Sequence, residues 1–353
     1  MMDAGMRPLT VSAQFLEAGQ GGICRVARMT IKALAGTRPL RALAVEDRAR
    51  YRIGDIETEP FGGSRARFSL ANSMHILRGR RMLYDFPGTA RAHAPGRLMG
   101  RTYAVWIHGY EMWNHLRPDY ERVALAADLV LVNSRYTLEK SELFCGRIDQ
   151  ARLCWLGTEE DEPPPTAPKP SGPPVLLFVG RTDELFGKGQ DLLIEAWPAV
   201  VSKVPEARLV FAGGGNRLGA LKDLVRQSPA QASIDVLGFV GEGAIDALWR
   251  HATAFAMPGC YEGFGLVFVE AMRHGLPVIA STDDASAEIN VDGVTGFNVS
   301  RSDRDGLIDR IVALLGDRDR AARMGQAGER HWREHFRFSK FKARLHEALR
   351  DWQ

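Results

Sequence analysis

Ala252-Thr-Ala-Phe-Ala-Met257, Pro258-Gly259, and then Glu262-Gly-Phe-Gly-Leu-Val-Phe-Val-Glu270 are the segments on which the reading of this chain turns. Residues 252–257 read as a strand, and the Pro-Gly pair stops it. Residues 259–265 therefore form a loop at the carboxyl end of a strand, the place where α/β sheets bind their ligands. Gly263 and Gly265 lack a Cβ, so an anion can approach the backbone amides. The helix opening at about Leu266 points its unpaired N–H groups, including those near Phe264, at the same place. Glu270 falls on the second turn, and helical side chains lean toward the amino end, so its carboxylate reaches a group held at the helix mouth. A carboxylate beside an anion suits hydroxyl groups. The plainer alternative is a core helix with a solvated glutamate at each end. A second strand, Pro277 to Ala280, comes after the helix, so the unit is strand, helix, strand.

The same alternation runs through the chain. Before residue 160, strands are expected at Leu9 to Phe15, Leu40 to Val45, Met82 to Tyr84, Tyr103 to Ile107 and Leu129 to Val132. After residue 174 they are expected at Val175 to Val179, Arg208 to Ala212 and Ile234 to Leu237. Helical stretches such as Ile23 to Ala35, Pro118 to Ala126, Asp191 to Val201, Gly219 to Gln227 and Ala244 to His251 separate them. Apolar strands between helices imply parallel sheets covered on both faces, hence two doubly wound domains facing across a cleft. Residues 161–174 hold seven prolines and read as the linker. The domains expected are 1–160 and 175–336, with an amphipathic helix from about 337 to 353.

With 353 residues, 45% of them apolar, the chain suits two domains. No apolar run approaches the ~20 residues of a membrane span, and the amino terminus has no secretory apolar core. The expected location is cytoplasmic. Cys24, Cys145, Cys154 and Cys260 have neither C-x-x-C nor zinc spacing, and read as reduced thiols. Net charge is only +3, but residues 1–157 carry 23 Lys and Arg against 15 Asp and Glu, while the remainder carries 23 against 28. A basic half suits an anionic membrane, an acidic substrate or nucleic acid. Nucleic acid ranks last, because no recognition motif or aromatic interleaving is present. Arg65, Arg67, Arg78, Arg80 and Arg81 surround Leu70, Met74 and Leu77, which share a helical face. Such a segment lies on an anionic membrane or is an ordinary solvated helix.

Other constellations sharpen the chemistry. Phe178-Val-Gly-Arg181 and Gly187-Lys188-Gly-Gln-Asp191 place an arginine and a lysine between a strand end and a helix start. A planar fork plus a point charge can neutralise a departing diphosphate. Gly213-Gly-Gly-Asn-Arg-Leu218 lacks the third glycine of a dinucleotide fingerprint, which disfavours a dehydrogenase. Asp303-Arg-Asp305 and Asp317-Arg-Asp319 match a metal-binding D-x-D formally, yet each precedes a helix and reads as a cap. Gly21 and Gly22 come after the first strand and open a helix, where amides meet a phosphate or a sugar. His108-Gly109 ends another strand, and Ser134 precedes a helix as its cap.

Glu262 to Glu270, its continuation Ala271-Met-Arg-His-Gly-Leu-Pro-Val-Ile-Ala280, the Arg181/Lys188 element and the Asp292-Gly-Val-Thr-Gly296 turn resemble, in order, the family 4 glycosyltransferases. The resemblance implies the GT-B fold, in which a final helix crosses back to the first domain. It implies a retaining glycosyltransferase that moves a hexose from a UDP- or GDP-linked donor to an acceptor hydroxyl. The acceptor would be lipid-linked, or a saccharide of a surface polysaccharide or lipopolysaccharide. By the same resemblance, Glu270 binds the ribose, Glu262 and His108 hold the donor sugar, Arg181 and Lys188 stabilise the diphosphate, and Phe239 and Val240 meet the base through backbone atoms. Gly21 and Gly22 match the family's amino-terminal glycine loop. Lys188 follows Arg181 by seven positions, a little more than the family usually has, and Asp284-Ala-Ser-Ala287 replaces its glycine pair. No cofactor or metal is expected. A position on the inner face of the cytoplasmic membrane is implied if the acceptor is a lipid. Rival readings are a nonenzymatic nucleotide-sugar or membrane-surface binding module, and an epimerase of the same fold.

Overall fold

The computed structural model describes residues 7–113, 117–164, 172–183 and 187–352. The chain divides into two units: unit 1 is Met1–Glu159 with Phe338–Gln353, and unit 2 is Glu160–Arg337. Residues 165–171 of the proline-rich segment lie outside the described residues. Its two flanks belong to unit 2, where Arg273 donates from Nε to the Glu162 carbonyl at 3.0 Å and Arg318 donates to the Gly172 carbonyl.

Unit 1 contains β1 (Leu9–Ala13), β2 (Leu40–Ala44), β3 (Arg52–Ile53), β4 (Ile56–Pro60), β5 (Arg81–Tyr84), β6 (Tyr103–Ile107), β7 (Leu129–Val132) and β8 (Ala151–Leu153). They form one sheet in the order β3-β4-β2-β1-β5-β6-β7-β8, parallel except for the β3/β4 pair. Every residue of β1, β6 and β7 is buried; β6 and β7 read as unbroken apolar runs for that reason, while β1 buries Thr10 and Ser12 as well. The helix Gly22–Leu34 covers one face with Val26, Met29, Ile31 and Leu34. The helix Phe338–Ala348 lies beside it: His346 bonds the Ala33 carbonyl at 3.1 Å, Arg344 donates to the Trp155 and Leu156 carbonyls, and Phe341 stacks on Trp106.

Unit 2 contains β9 (Val175–Val179), β10 (Arg208–Ala212), β11 (Ile234–Gly238), β12 (Ala254–Ala256), β13 (Val278–Ser281) and β14 (Gly296–Val299), all parallel, in the order β11-β10-β9-β12-β13-β14. Starting from β9, that is the doubly wound order 3-2-1-4-5-6. Connections leave β9 and β12 in opposite directions, so a crevice opens between the carboxyl ends of those strands. Phe255 on β12 and Phe268 on the helix Leu266–Arg273 are fully buried and meet edge to face at 5.2 Å. Burying Phe268 contributes about 3 kcal/mol, enough to fix which face of that short helix turns inward.

Some expectations shift. Asp292-Gly-Val-Thr-Gly296, read as a turn alone, leads directly into β14. Arg80 and Arg81 do not belong to a surface basic stripe. Arg80 reaches Thr10 Oγ1 at 2.8 Å and the Pro39 carbonyl at 3.0 Å, while Arg81 bonds the Trp352 carbonyl at 3.1 Å. Both guanidiniums fasten the amino-terminal edge of the unit 1 sheet. Asp303 and Asp317 cap helices, accepting from Gly306 N at 2.9 Å and Arg320 N at 2.8 Å.

Candidate active site

Glycines bring the unit 2 residues together. Gly189 has φ +85°, and a Cβ there would stand 2.5 Å from the Pro258 carbonyl oxygen. A Cβ at Gly259 would lie 2.9 Å from the Gly187 oxygen, and Cys260 N donates to that oxygen at 2.9 Å. The loop entering the helix Gln190–Lys203 thus presses directly on the loop leaving β12. That contact carries Lys188 to Glu262, with which it forms an ion pair. Both side chains are largely shielded, at 31% and 16% exposure. A partly screened pair contributes on the order of 1 kcal/mol or less, so an arriving anion can readily take Lys188 over.

Beneath Glu262 lies Asp284, an acid absent from the sequence-based site. It is 2% exposed and accepts from Ser286 N at 2.9 Å and Ser286 Oγ at 2.5 Å, with Glu262 N at 3.4 Å. Ala285 N in turn donates to the Glu262 carbonyl at 3.1 Å. Burial pushes the Asp284 carboxyl up to about 7; the Ser286 hydroxyl opposes this and the Glu262 charge adds to it. The acidic substitution for the family's glycine pair therefore braces Glu262 from below.

Gly265, with φ +89°, precedes the helix Leu266–Arg273, and a Cβ there would meet Phe268 at 2.6 Å. Phe264 is buried, while Gly263, Leu266 and Glu270 are partly exposed, so the helix mouth is open on the side Glu270 occupies. Arg181 differs from Lys188. Its side chain is 68% exposed and pairs through Nε with Asp183 at 2.5 Å, while Gln190 donates to its carbonyl at 3.2 Å. Asp183 is held below the usual carboxylate range by the Asn216 backbone N–H and by Arg181. Phe186, in the gap between the two cations, lies outside the described residues. Gly213 approaches Gly180 so closely that a Cβ would overlap its carbonyl at 1.9 Å, which is what brings the β9 and β10 loops side by side. Phe239, after β11, is 81% exposed.

In unit 1, His108 comes directly after β6. Its ring Nε2 bonds the Asp85 carbonyl at 2.7 Å; a carbonyl only accepts, so Nε2 carries the proton and Nδ1 keeps its lone pair. The ring stacks on Trp106 at 5.9 Å, and the His108 amide donates to Glu111 Oε1 at 2.5 Å. Burial holds the imidazole below its ordinary pKa, with Glu111 opposing. Asp85, which the motifs do not single out either, is 2% exposed and accepts from Gln14 N at 2.8 Å and Thr89 Oγ1 at 2.6 Å. Burial pushes it up to about 7 against those two bonds. Asp47 orders the adjacent glycine loop by accepting from Leu16 N at 3.0 Å and Glu17 N at 3.1 Å. Gly21, at φ +97°, then turns the chain into the helix that begins at Gly22.

Two doubly wound sheets, the second with Lys188 paired to Glu262 at its switch point, fit the class of GT-B sugar-transfer enzymes. A profile of the family "Glycosyl transferases group 1" matches residues 159–331. A GDP-mannose-dependent alpha-(1-6)-phosphatidylinositol monomannoside mannosyltransferase of Mycolicibacterium smegmatis is 31% identical over 291 residues, covering 73% of this chain and 74% of that protein. The chain belongs to this glycosyltransferase family, in agreement with the resemblance its motifs carry. Among solved structures, sucrose-phosphate synthase from Thermosynechococcus elongatus superposes with a TM-score of 0.81 at 20% identity, over 98% of this chain and 99% of that one. Anabaena HepE in complex with UDP and glucose gives 0.78 at 17% identity, over 97% and 100%. Both share the fold.

Proposed function

We propose that this enzyme transfers a hexose, with retention, from a GDP- or UDP-linked donor to a hydroxyl of a lipid-linked or saccharide acceptor. The observation that carries the reading is the Lys188–Glu262 pair at the β9/β12 crevice, beside the glycine-opened helix that bears Glu270. Lys188, joined by Arg181, takes the diphosphate; Glu262, released from Lys188, accepts from hydroxyls of the sugar; Glu270 accepts from those of the ribose. Gly263, Phe264, Gly265 and Leu266 offer amides at the helix mouth, and the exposed Phe239 with Val240 borders the base. In unit 1, the resemblance gives His108 a sugar hydroxyl, to which Nδ1 is the free acceptor, and gives Gly21 and Gly22 the phosphate or sugar. The bond from the anomeric carbon to the diphosphate oxygen breaks while the acceptor oxygen bonds on the same face. The acceptor's proton passes to the leaving diphosphate, and no divalent metal is needed.

The likeness to a mannosyltransferase named for GDP-mannose and a phosphatidylinositol mannoside favours those two substrates; the UDP of HepE keeps the other base in play. A membrane location is supported by one patch. The helix Arg65–Leu77 leaves Leu70 63% and Leu77 64% exposed, and the neighbouring helix Ala94–Leu98 leaves Leu98 91% exposed. Arg67, Arg78, Arg97 and Arg101 are exposed around it. Among the described residues no helix is long and apolar enough to cross a bilayer, so such an association would be peripheral, on an anionic leaflet.

The test measures nucleoside diphosphate release from GDP-mannose and UDP-glucose, with and without a lipid acceptor. Lys188→Ala and Glu270→Ala are expected to lower kcat/KM about 100-fold or more while keeping a native circular dichroism spectrum, and a chelator leaves the rate unchanged. Full activity in either variant defeats the assignment. Release of an altered nucleotide sugar without an acceptor would point to an epimerase instead.

A further inference from the structure

In unit 1, the strand order sets β2 on one side of β1 and β5 on the other, so the connections after β1 and β5 diverge. At that switch point lies a hollow of about 380 Å³ lined by Gln14, Glu46, Arg65, Arg91, Arg117 and Tyr120. Its charges are unevenly matched. Arg91 and Arg117 share one carboxylate, Asp119, at 2.9 and 3.1 Å, and both guanidiniums lie over the Tyr120 ring, 5.6 and 5.1 Å from its centre. They are thereby fixed in place. Arg65 and Glu46 form no side-chain ion pair or hydrogen bond with any described residue. Phe86 meets Tyr120 edge to face at 6.0 Å and completes an apolar wall.

Clustered guanidiniums with too few carboxylates, beside an aromatic wall and a lone carboxylate, match one ligand chemistry. Forked guanidiniums bind phosphate oxygens in pairs. A carboxylate accepts from hydroxyls, and an aromatic wall covers the C–H face of a ring. The hollow also shares a frame with His108. Thr89, in its lining, donates to Asp85, as does the amide of Gln14, and the Asp85 carbonyl holds the His108 ring.

We propose that this hollow is the acceptor subsite and that it selects a phosphate-bearing sugar or polyol. Arg65, Arg91 and Arg117 hold the phosphate and Glu46 holds a ring hydroxyl. The inference rests on the glycosyltransferase reading above and narrows its acceptor. The phosphate belongs either to a free sugar phosphate or to a lipid headgroup, and the experiment separates the two.

Binding to the full-length enzyme is measured for mannose 6-phosphate, methyl mannoside, myo-inositol 1-phosphate, phosphatidylinositol vesicles and GDP. The wild type should bind the phosphorylated compounds or the vesicles at least tenfold more tightly than methyl mannoside. Arg65→Gln, at an exposed position, should remove most of that preference and leave GDP affinity unchanged. Arg323→Gln, in a basic hollow of unit 2 beside Gly293 and Phe297, should change nothing and controls for general charge effects. Preference for vesicles over inositol phosphate identifies the lipid headgroup; the reverse identifies a free phosphate. Equal affinity for charged and uncharged compounds, or an Arg65→Gln enzyme indistinguishable from wild type, overturns the proposal. Failure of GDP and UDP alike to bind the wild type would instead overturn the underlying glycosyltransferase reading.

Discussion

Asp85 follows β5 and Asp284 follows β13, and each supports a residue assigned to the sugar, the Asp85 carbonyl by accepting from the His108 ring and the Asp284 carboxylate by accepting from the Glu262 amide. Their raised pKa values make a statement about stability. An unfolded aspartate titrates near 3.9, whereas both fold with values of about 7. The protonated form is thus favoured by folding, so their contribution is complete below about pH 4 and is lost as pH rises through about 7. Asp284→Asn, which stays neutral, should lose less melting temperature than the wild type between pH 5 and pH 8. Scanning calorimetry at four pH values checks this, and parallel curves would show that Asp284 does not titrate in that window. Neither acid was legible in the sequence, where a buried aspartate looks like a solvated one. Glu262, Glu270, Arg181 and Lys188 could be singled out as candidates because glycines and strand ends bracket them. The Lys188–Glu262 contact was not, since it depends on a backbone approach between residues some 70 positions apart.

Among the elements, four strands were read to the residue, Tyr103–Ile107, Leu129–Val132, Val175–Val179 and Arg208–Ala212, whereas the expected Leu9 to Phe15 and Ala252 to Met257 shorten to Leu9–Ala13 and Ala254–Ala256. The strand β4, next to the edge of its sheet, was not read. Ile56–Pro60 carries two glutamates and buries only Thr58, so its strand character comes from pairing with β2 and not from its own pattern. The short helix Leu266–Arg273 depends on tertiary support, since eight residues are too few to be stable alone. The glycines that bring the loops around it together are therefore sensitive points. Gly189→Ala adds the ~1–2 kcal/mol cost of a left-handed alanine to a collision with Pro258. It should lower both melting temperature and transfer rate, because Lys188 is displaced. Gly219→Ala, where a Cβ meets nothing within 4 Å and φ is ordinary, should be neutral or slightly stabilising. Equal behaviour of the two variants in thermal melts and donor turnover would show that the β12 loop does not need that contact.

For the whole molecule, the exposed leucines and arginines of the helices Arg65–Leu77 and Ala94–Leu98 form the feature least explained by catalysis. If they meet a bilayer, Leu77→Asp with Leu98→Asp should reduce sedimentation with phosphatidylglycerol vesicles at least tenfold, since each buried leucine is worth about 2 kcal/mol. Salt should weaken the wild-type interaction as surface charges are screened. Equal binding to neutral phosphatidylcholine vesicles, or no effect of the substitutions, would remove the membrane from the account. The division of the chain carries one more consequence. Phe341, Leu345, Leu349 and Trp352 are all buried within unit 1, although residues 160–337 between them and β8 build unit 2. On the ribosome, the eight-stranded sheet is therefore complete in sequence before the helix that covers one of its flanks is made, with all of unit 2 synthesised in between. Chaperones that shield apolar surface would be expected to hold the nascent amino-terminal half until residue 352 clears the exit tunnel.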